Sequence, residues 1–207
     1  RNTTEGVIAV MSQFSIRARD MEKVLGSLNA VSKKFAVESS DLISAIRRAG
    51  GVFAATANQM KDPIDSLNEL IAIFTSVRST TRETADTIAT GLRTIFSRIQ
   101  RPRTIEFLKQ YGVELLDLKG NFIGTFKAFQ ALSTGLDGII KRGDVLTLAK
   151  ITEELGGIRQ VGKLIPAIKN FNKSLEALEV ARAGAFGGLQ KDVELALKPL
   201  GKEFEKV

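Results

Sequence analysis

The stretch IATGLRTIFSRI, residues 88–99, contains the clearest structural signal in the chain. Its large apolar residues recur at intervals of three and four positions, which places them on one face of an α-helix. They are Ile88, Leu92, Ile95, Phe96 and Ile99. Arg93 and Arg98 are five positions apart, which is about 140° around a helix at roughly 100° per residue. The two arginines cannot both lie on the apolar stripe, so the sequence predicts a helix with one buried face.

The same helical period continues on the N-terminal side of this stretch. Apolar residues at helical spacing predict helices that begin near Asp20, after Ser39–Asp41 and at Asp62-Pro63, where proline suits the first turn. Gly50-Gly51 interrupts the second of these helices and predicts a kink or a close helix crossing.

Helical spacing also continues on the C-terminal side. The predicted helices begin near Lys127, Asp144, Gly156-Gly157 and Ser174. The last of them is predicted to loosen over residues 183–188, which are rich in glycine, and to stop near Pro199.

Between residues 113 and 126 the pattern changes from helical spacing to alternation of apolar and polar residues. Gly112 suits the left-handed cap that ends a short helix before this segment. Asp117 and Gly120 are typical turn residues, and Gly120 can adopt the positive φ that a tight turn requires. The sequence therefore predicts a mostly all-α, multi-helix domain with one small inserted β-hairpin at about 113–126.

The composition excludes several kinds of active site. The 207 residues include no His and no Cys, which removes the Ser-His-Asp triad, the cysteine nucleophile, haem ligation and the usual zinc sites. The glycine pairs match neither the P-loop nor the dinucleotide-binding fingerprint. The longest stretch without a charged residue, 49–60, is shorter than the roughly 20 apolar residues of a membrane-spanning helix. We therefore expect no enzyme, no cofactor, no metal site and no small-molecule substrate.

The chain is basic, with 30 Lys and Arg against 23 Asp and Glu and a formal net charge of +7. The excess is greatest between Arg78 and Arg103, where six arginines accompany only Glu83 and Asp86. The arginines are Arg78, Arg82, Arg93, Arg98, Arg101 and Arg103. Such a run can face phosphates or form a solvated helix face, and the lack of interleaved aromatic residues favours the solvated face. One alternative function is therefore a basic helical nucleic-acid-binding module.

Three phrases stand out together in the sequence. They are GLRTIFSRI at 91–99, LKQYGV at 108–113 followed by LDLKG at 116–120, and LGGIRQ at 155–160. With these phrases in this order, the sequence resembles the core region of tailed-bacteriophage tail tape-measure proteins. The resemblance implies a core domain at 35–175, a helical lead-in at 1–34 and a C-terminal helical extension at 176–207.

The resemblance implies a structural virion protein of a phage or prophage. Tape-measure proteins are long, mostly helical chains in the lumen of the tail tube, and their length sets tail length during assembly in the host cytoplasm. They are released with the DNA at ejection. The implied partners are the tail tube protein, other tail proteins and further copies of the chain, with contact to genomic DNA or the host membrane during ejection. Because the first residue is Arg1 and not Met, we expect a processed product or an excised piece of a longer protein.

Nine residues in the three phrases are candidate structural or interaction residues. They are Arg93, Phe96, Arg98, Gly112, Asp117, Gly120, Gly156, Gly157 and Arg159. Arg93 and Arg98 are each expected either to tether the hairpin to the helices or to contact another subunit or the tube wall. Asp117 and Gly120 suit a turn, whereas Gly156-Gly157 and Arg159 suit a tight helix entry. A further alternative, a membrane-active helical protein, would use helices such as 64–77.

Overall fold

Eleven α-helices make up about 80% of the chain in the computed structural model, which describes residues 2–57, 61–81 and 83–204. Within these ranges, side chains are described for residues 6–157 and 159–187. In chain order the helices are α1 (Asn2–Gln13), α2 (Met21–Phe35), α3 (Ser39–Thr56), α4 (Pro63–Thr80), α5 (Ala85–Ile99), α6 (Pro102–Lys109), α7 (Thr125–Gly135), α8 (Asp137–Arg142), α9 (Val145–Leu155), α10 (Val161–Lys169) and α11 (Phe171–Phe204). Short 3-10 turns at Ala18–Asp20 and Ile158–Gln160 precede α2 and α10. The predicted mostly helical fold is confirmed.

Helix α4 lies at the centre of the fold, with α2, α3, α5, α7, α10 and α11 around it. Every residue from Ser66 to Val77 is buried, because neighbouring helices cover this helix on all sides. It begins where the sequence predicts: the N–H of Ile64 donates to Oδ1 of Asp62 at 2.9 Å, and Pro63 occupies the first turn. A membrane-active role for residues 64–77 would require this central helix to leave the core.

The apolar stripe of α5 is buried, as its spacing predicts. The side chains of Ile88, Leu92, Ile95, Phe96 and Ile99 are each 0% exposed. The ring of Phe96 lies between those of Phe53 in α3 and Phe129 in α7, at centroid distances of 5.1 Å and 5.8 Å, and both contacts are edge-to-face. The stripe therefore fixes α5 against α3 and α7.

The predicted β-hairpin at 113–126 is wrong. In the described chain residues 113–124 form a loop between α6 and α7, with one isolated antiparallel bridge between Leu116 and Phe122 and no strand, and residues 125 and 126 already belong to α7. Two short arms without a third strand form at best a marginal ladder. The alternation has another cause, because Val113 and Leu115 are 1% and 0% exposed in the helical core. Alternating residues are thus buried by helices and not by a sheet.

The glycine pair in the second predicted helix lies at a close helix crossing. Helix α3 runs from Ser39 to Thr56 through both glycines. A Cβ at Gly50 would come 3.0 Å from Cε2 of Phe14, near the end of α1, whereas Gly51 faces open space. The first glycine therefore allows the contact between α1 and α3.

The predictions of a looser helix over 183–188 and a stop near Pro199 are both wrong. Helix α11 is one helix from Phe171 to Phe204. Gly184 lies where α11 meets α2, and a Cβ there would come 2.5 Å from Cβ of Ala30. Glycine in this part of α11 permits close contact between two helices and does not break the helix.

The buried residues form one continuous cluster from Val7 to Ala185. Helices from the beginning, middle and end of the described chain contribute to it, and α11 contacts both α2 and α4. The division into segments 1–34, 35–175 and 176–207 stays a prediction.

Candidate interaction site

The first and third phrases meet where α5 passes the end of α9. Gly156 is buried, and a Cβ there would come 3.2 Å from Cγ1 of Ile95 and 2.8 Å from Cγ of Gln160. Gly157 has a φ of +82°, a left-handed conformation that favours glycine. The two glycines let the chain turn closely over α5 before α10 begins. We call the contact of α5 with the end of α9, including Gly156 and the turn at Gly157, the α5–α9 junction.

Arg98 connects α5 to the end of α9 at this junction. Its Nη1 donates a hydrogen bond of 3.2 Å to the carbonyl oxygen of Glu153. That carbonyl belongs to the last turn of α9 and also accepts from the N–H of Gly157 at 3.1 Å, and a positive charge is favourable at this end of a helix. Nearby, Oγ1 of Thr104 in α6 donates to Oε1 of Glu154 at 3.0 Å. Arg98 therefore tethers one helix to another, and not the 113–124 loop to the helices.

Arg93 and Arg159 are exposed beside the junction, and neither has a hydrogen bond or ion pair with another described residue. Arg159 lines a shallow depression of about 360 Å³ together with Asp86 and Lys163. Nζ of Lys163 lies 2.8 Å from Oε2 of Glu83, so its charge is compensated. The two arginines are thus available to contact another molecule.

The arginines between residues 78 and 103 do not form a continuous cationic surface. Nε of Arg78 donates at 3.0 Å to a carboxylate of α3, and Nε of Arg103 lies 3.8 Å from a carboxylate of α9. Arg98 is engaged at the junction. Among the described members of the run, only Arg93 and Arg101 lack such a partner. The distribution favours the solvated face over a phosphate-binding stripe.

The second phrase forms a separate surface at the tip of the loop. Oδ1 of Asp117 accepts hydrogen bonds of 2.8 Å from the N–H groups of Asn121 and Lys119. The bond from the Asn121 N–H contributes most to holding the pKa of Asp117 below its ordinary value, because it stabilises the carboxylate. Gly120 closes the turn with a φ of +81°. Leu118 is fully exposed at the tip of this ordered turn.

The structure divides the nine candidate residues into two groups. Around α5 and its junction with α9 lie Arg93, Phe96, Arg98, Gly156, Gly157 and Arg159, whereas Gly112, Asp117 and Gly120 belong to the loop. Phe96 is wholly internal, and Gly112 ends the turn after α6 with a φ of +77°. Packing and turn geometry therefore account for most of the candidates, whereas Arg93 and Arg159 are exposed on the surface and their contact role stays a prediction.

Sequence reasoning missed a groove along the start of α4. Two cavities of about 320 and 260 Å³ adjoin there and share Lys23, Asp62 and Ile64 as lining residues. Asn68 lines the smaller cavity, is 1% exposed, and has no hydrogen-bond partner for its Oδ1. We call the two cavities together the α4 groove. The signal that could have found it is a polar residue inside an otherwise apolar helical pattern.

Charged pairs lie beside this groove. Arg182 of α11 donates from Nε and Nη2 to the two carboxylate oxygens of Asp65, at 2.6 and 2.8 Å. These hydrogen bonds lower the pKa of Asp65. Glu69 is paired with Lys61, yet burial raises the pKa of Glu69 because a buried carboxylate loses its hydration. The charges of Asp65, Arg182, Glu69 and Lys61 near the groove are thus paired within the chain.

No helix in the described ranges is both long enough and apolar enough to cross a membrane. The described side chains also include no group of three or more acidic residues placed to hold a metal ion.

A family model described as phage-related minor tail protein matches residues 1–157. The chain therefore belongs to this family, so it is a structural component of a phage tail and hence of the virion. The match spans α1 to α9 and ends at Gly157, within the α5–α9 junction. No solved structure matches the chain.

Proposed function

We propose that the chain is a segment of a tail tape-measure protein, which sets tail length during assembly. The observation that carries this proposal is the occurrence of the three phrases, in order, in a member of the minor tail protein family. The largely helical structure supports it, because the tape-measure proteins that the chain resembles are mostly helical.

On this proposal the segment lies in the lumen of the tail tube and has a structural and not a catalytic role. Its partners are the tail tube protein, other tail proteins and further copies of the chain. The exposed, unpaired Arg93 and Arg159 support a contact with another subunit or with the tube wall. The protein leaves with the DNA at ejection, when contact with genomic DNA or the host membrane follows.

The test is a series of in-frame deletions in the full-length parent gene, outside the region that encodes these 207 residues. Tail length, measured by electron microscopy, should shorten in proportion to the residues removed, by no more than about 1.5 Å per residue for helical segments. A control substitution that leaves chain length unchanged should leave tail length unchanged. Tails of normal length after a long deletion would contradict the proposal.

The nucleic-acid alternative receives little support from the arginine run, because only Arg93 and Arg101 are exposed and unpaired among its described members. It predicts DNA affinity that falls steeply as salt rises and falls further in the R93A/R101A double variant. Absent or salt-insensitive binding would remove this alternative.

A further inference from the structure

The α4 groove has the form of a binding site for a chain-like ligand. Its floor is the start of α4, and its walls come from the segment leading into α2 on one side and from α11 on the other. The two cavities share Lys23, Asp62 and Ile64, and together their lining follows the start of α4 from Asp62 to Asn68, so they form one continuous depression along this helix. An elongated depression suits an extended segment better than a compact small molecule.

The unpaired carboxamide oxygen of Asn68 is the feature of the groove that indicates a ligand. Its side chain is 1% exposed and Oδ1 has no hydrogen-bond partner, although the residue lines the cavity. Buried polar atoms in native proteins are nearly always hydrogen-bonded, because an unpaired one keeps the cost of desolvation without compensation. A bound molecule that donates a hydrogen bond to Oδ1 would remove this cost.

The surrounding charges indicate what kind of group that molecule presents. Arg182 is held by Asp65 through two hydrogen bonds, and Lys23 lies 2.9 Å from Oδ1 of Asp20. Oδ1 of Asp62 already accepts the N–H of Ile64. Since the lining cations and two of the three lining carboxylates are paired in place, an anion gains no free counter-charge in the groove, and a cation finds only the solvent-exposed Asp62. The geometry favours a neutral polar group.

A peptide group meets these requirements. It carries an N–H that can donate to Oδ1 of Asn68 and a carbonyl that can accept from its Nδ2. These groups must be free of internal hydrogen bonds, which excludes the middle of an α-helix, where both are paired. Ile64 in the floor and Phe186, which is 82% exposed at the rim, offer apolar contact to a neighbouring side chain.

We propose that the α4 groove binds an extended peptide segment of a partner protein, with Asn68 paired to its main chain and Phe186 packed on an apolar side chain. The inference does not depend on the tape-measure role, because it rests on the groove alone.

The experiment selects ligands for the 207-residue chain from a display library of random peptides. The most enriched peptide is then labelled, and its affinity is measured for the wild type, Asn68→Leu and Phe186→Ala. Each variant should bind about tenfold more weakly or worse. Leu146→Ala is the matched control, because Leu146 is 79% exposed but does not line the groove; its affinity should equal that of the wild type.

A second measurement separates a binding role for Asn68 from a structural one. If its carboxamide is unpaired in the free protein, Asn68→Leu removes a buried polar group without a partner and should raise the Tm by about 2–4 °C. A lower Tm would mean that the carboxamide stabilises the free fold, for example through an ordered water, and would overturn the proposal.

Three binding results would also overturn it. They are no enrichment of peptides by the wild type, equal affinity for all variants, and self-association of the wild type that is lost in Asn68→Leu. In the last case the occupant is a second copy of the chain and not a partner segment. Because none of these results concerns tail length, they leave the tape-measure proposal to its own test.

Discussion

Two regions of the molecule bring helices together by different means. Around the α5–α9 junction, the apolar stripe of α5 is buried and Phe96 sits between two other rings. Along the α11 seam, where α11 meets α2 and α4, Arg182 holds Asp65, and Oγ of Ser27 donates to the carbonyl of Ala181 at 3.0 Å. The burial of α5 follows from the local spacing of its apolar residues. The contacts of the seam instead join residues far apart in the sequence, by 117 positions for Asp65 and Arg182 and by 154 for Ser27 and Ala181.

The largest effect should come from the stripe of α5. Phe96→Ala removes a fully buried ring from between Phe53 and Phe129 and should lower the free energy of unfolding by about 3–5 kcal/mol. Urea unfolding followed by circular dichroism measures the change. Phe186→Ala is the control, and it should change stability by less than about 0.5 kcal/mol because its ring is 82% exposed. Similar losses in the two variants would mean that Phe96 does not anchor the core.

The close crossing of α2 and α11 should give the next largest effect. A Cβ at Gly26 would come 3.0 Å from the carbonyl carbon of Gly184, and closer still to its oxygen, so Gly26→Ala requires the backbone to move. We expect a loss of about 2–3 kcal/mol, with faster hydrogen exchange along α11. Gly51→Ala, in α3 and facing open space, should instead stabilise the protein by about 0.5–1 kcal/mol. An unchanged stability of Gly26→Ala would show that the seam is loose.

The difference between the two regions explains what the sequence could predict. The burial of α5 follows from its own spacing, and the start of α4 follows from Asp62-Pro63, because both signals are local. Gly184 was misinterpreted as a weak point in a helix, since glycine's low helix propensity is visible in the sequence and its role in an interhelical contact is not. The alternation at 113–126 was misinterpreted for the same reason, because burial against helices and pairing in a sheet give the same short pattern.

The same distinction between local signals and contacts of distant segments applies to the candidate sites. The turn chemistry of Asp117 and Gly120 is local, and the structure contains that turn without the flanking strands. The α4 groove depends on α2, α4 and α11 meeting, and no local pattern records such a meeting. Asn68 could have been noticed as a polar residue on a buried helix, but its lack of a partner is a property of the folded chain.

The glycine turn offers a test confined to the α5–α9 junction. Gly157→Ala places a side chain at a φ of +82°, and the strain should cost about 1–2 kcal/mol. Gly187→Ala, at a helical position with nothing within 4 Å of the new Cβ, serves as the control and should not destabilise the protein. Thermal unfolding of both variants checks the prediction. A neutral Gly157→Ala would mean that the turn can change its conformation at little cost.

The pair of Asp65 and Arg182 in the α11 seam should contribute less to the free energy of unfolding than the Gly157 turn does, and its contribution should depend on pH. Asp65→Asn should cost about 1 kcal/mol at neutral pH, since the pair is only partly shielded from solvent. Because Arg182 lowers the pKa of Asp65, this stabilisation is present above the ordinary value of 3.8 and is lost as pH falls through the lower, folded-state value. The difference in Tm between variant and wild type should therefore shrink in strong acid.

In this test the variant must be compared with the wild type at each pH, because the ionisation of Glu69 changes the stability of both proteins in the opposite direction. Burial raises the pKa of Glu69, so its ionisation as pH rises disfavours the folded state. The matched control is Asp86→Asn, since Asp86 makes a similar pair of hydrogen bonds with Arg48 but is far more exposed. It should cost less than Asp65→Asn at neutral pH, and an equal or larger cost would show that burial does not strengthen the seam pair.

The smallest effect distinguishes two arginines on the same helix. Arg98→Ala removes the bond to the carbonyl of Glu153 and should cost about 0.5 kcal/mol, whereas Arg93→Ala removes no contact with a described residue and should leave unfolding unchanged. Urea unfolding of both variants measures these differences. On the proposed function the order should reverse in tail assembly: Arg93→Ala should reduce the yield of complete tails more than Arg98→Ala, because an unpaired surface arginine is free to contact a partner and a tether is not. Equal yields of complete tails from the two variants would mean that Arg93 contacts only solvent.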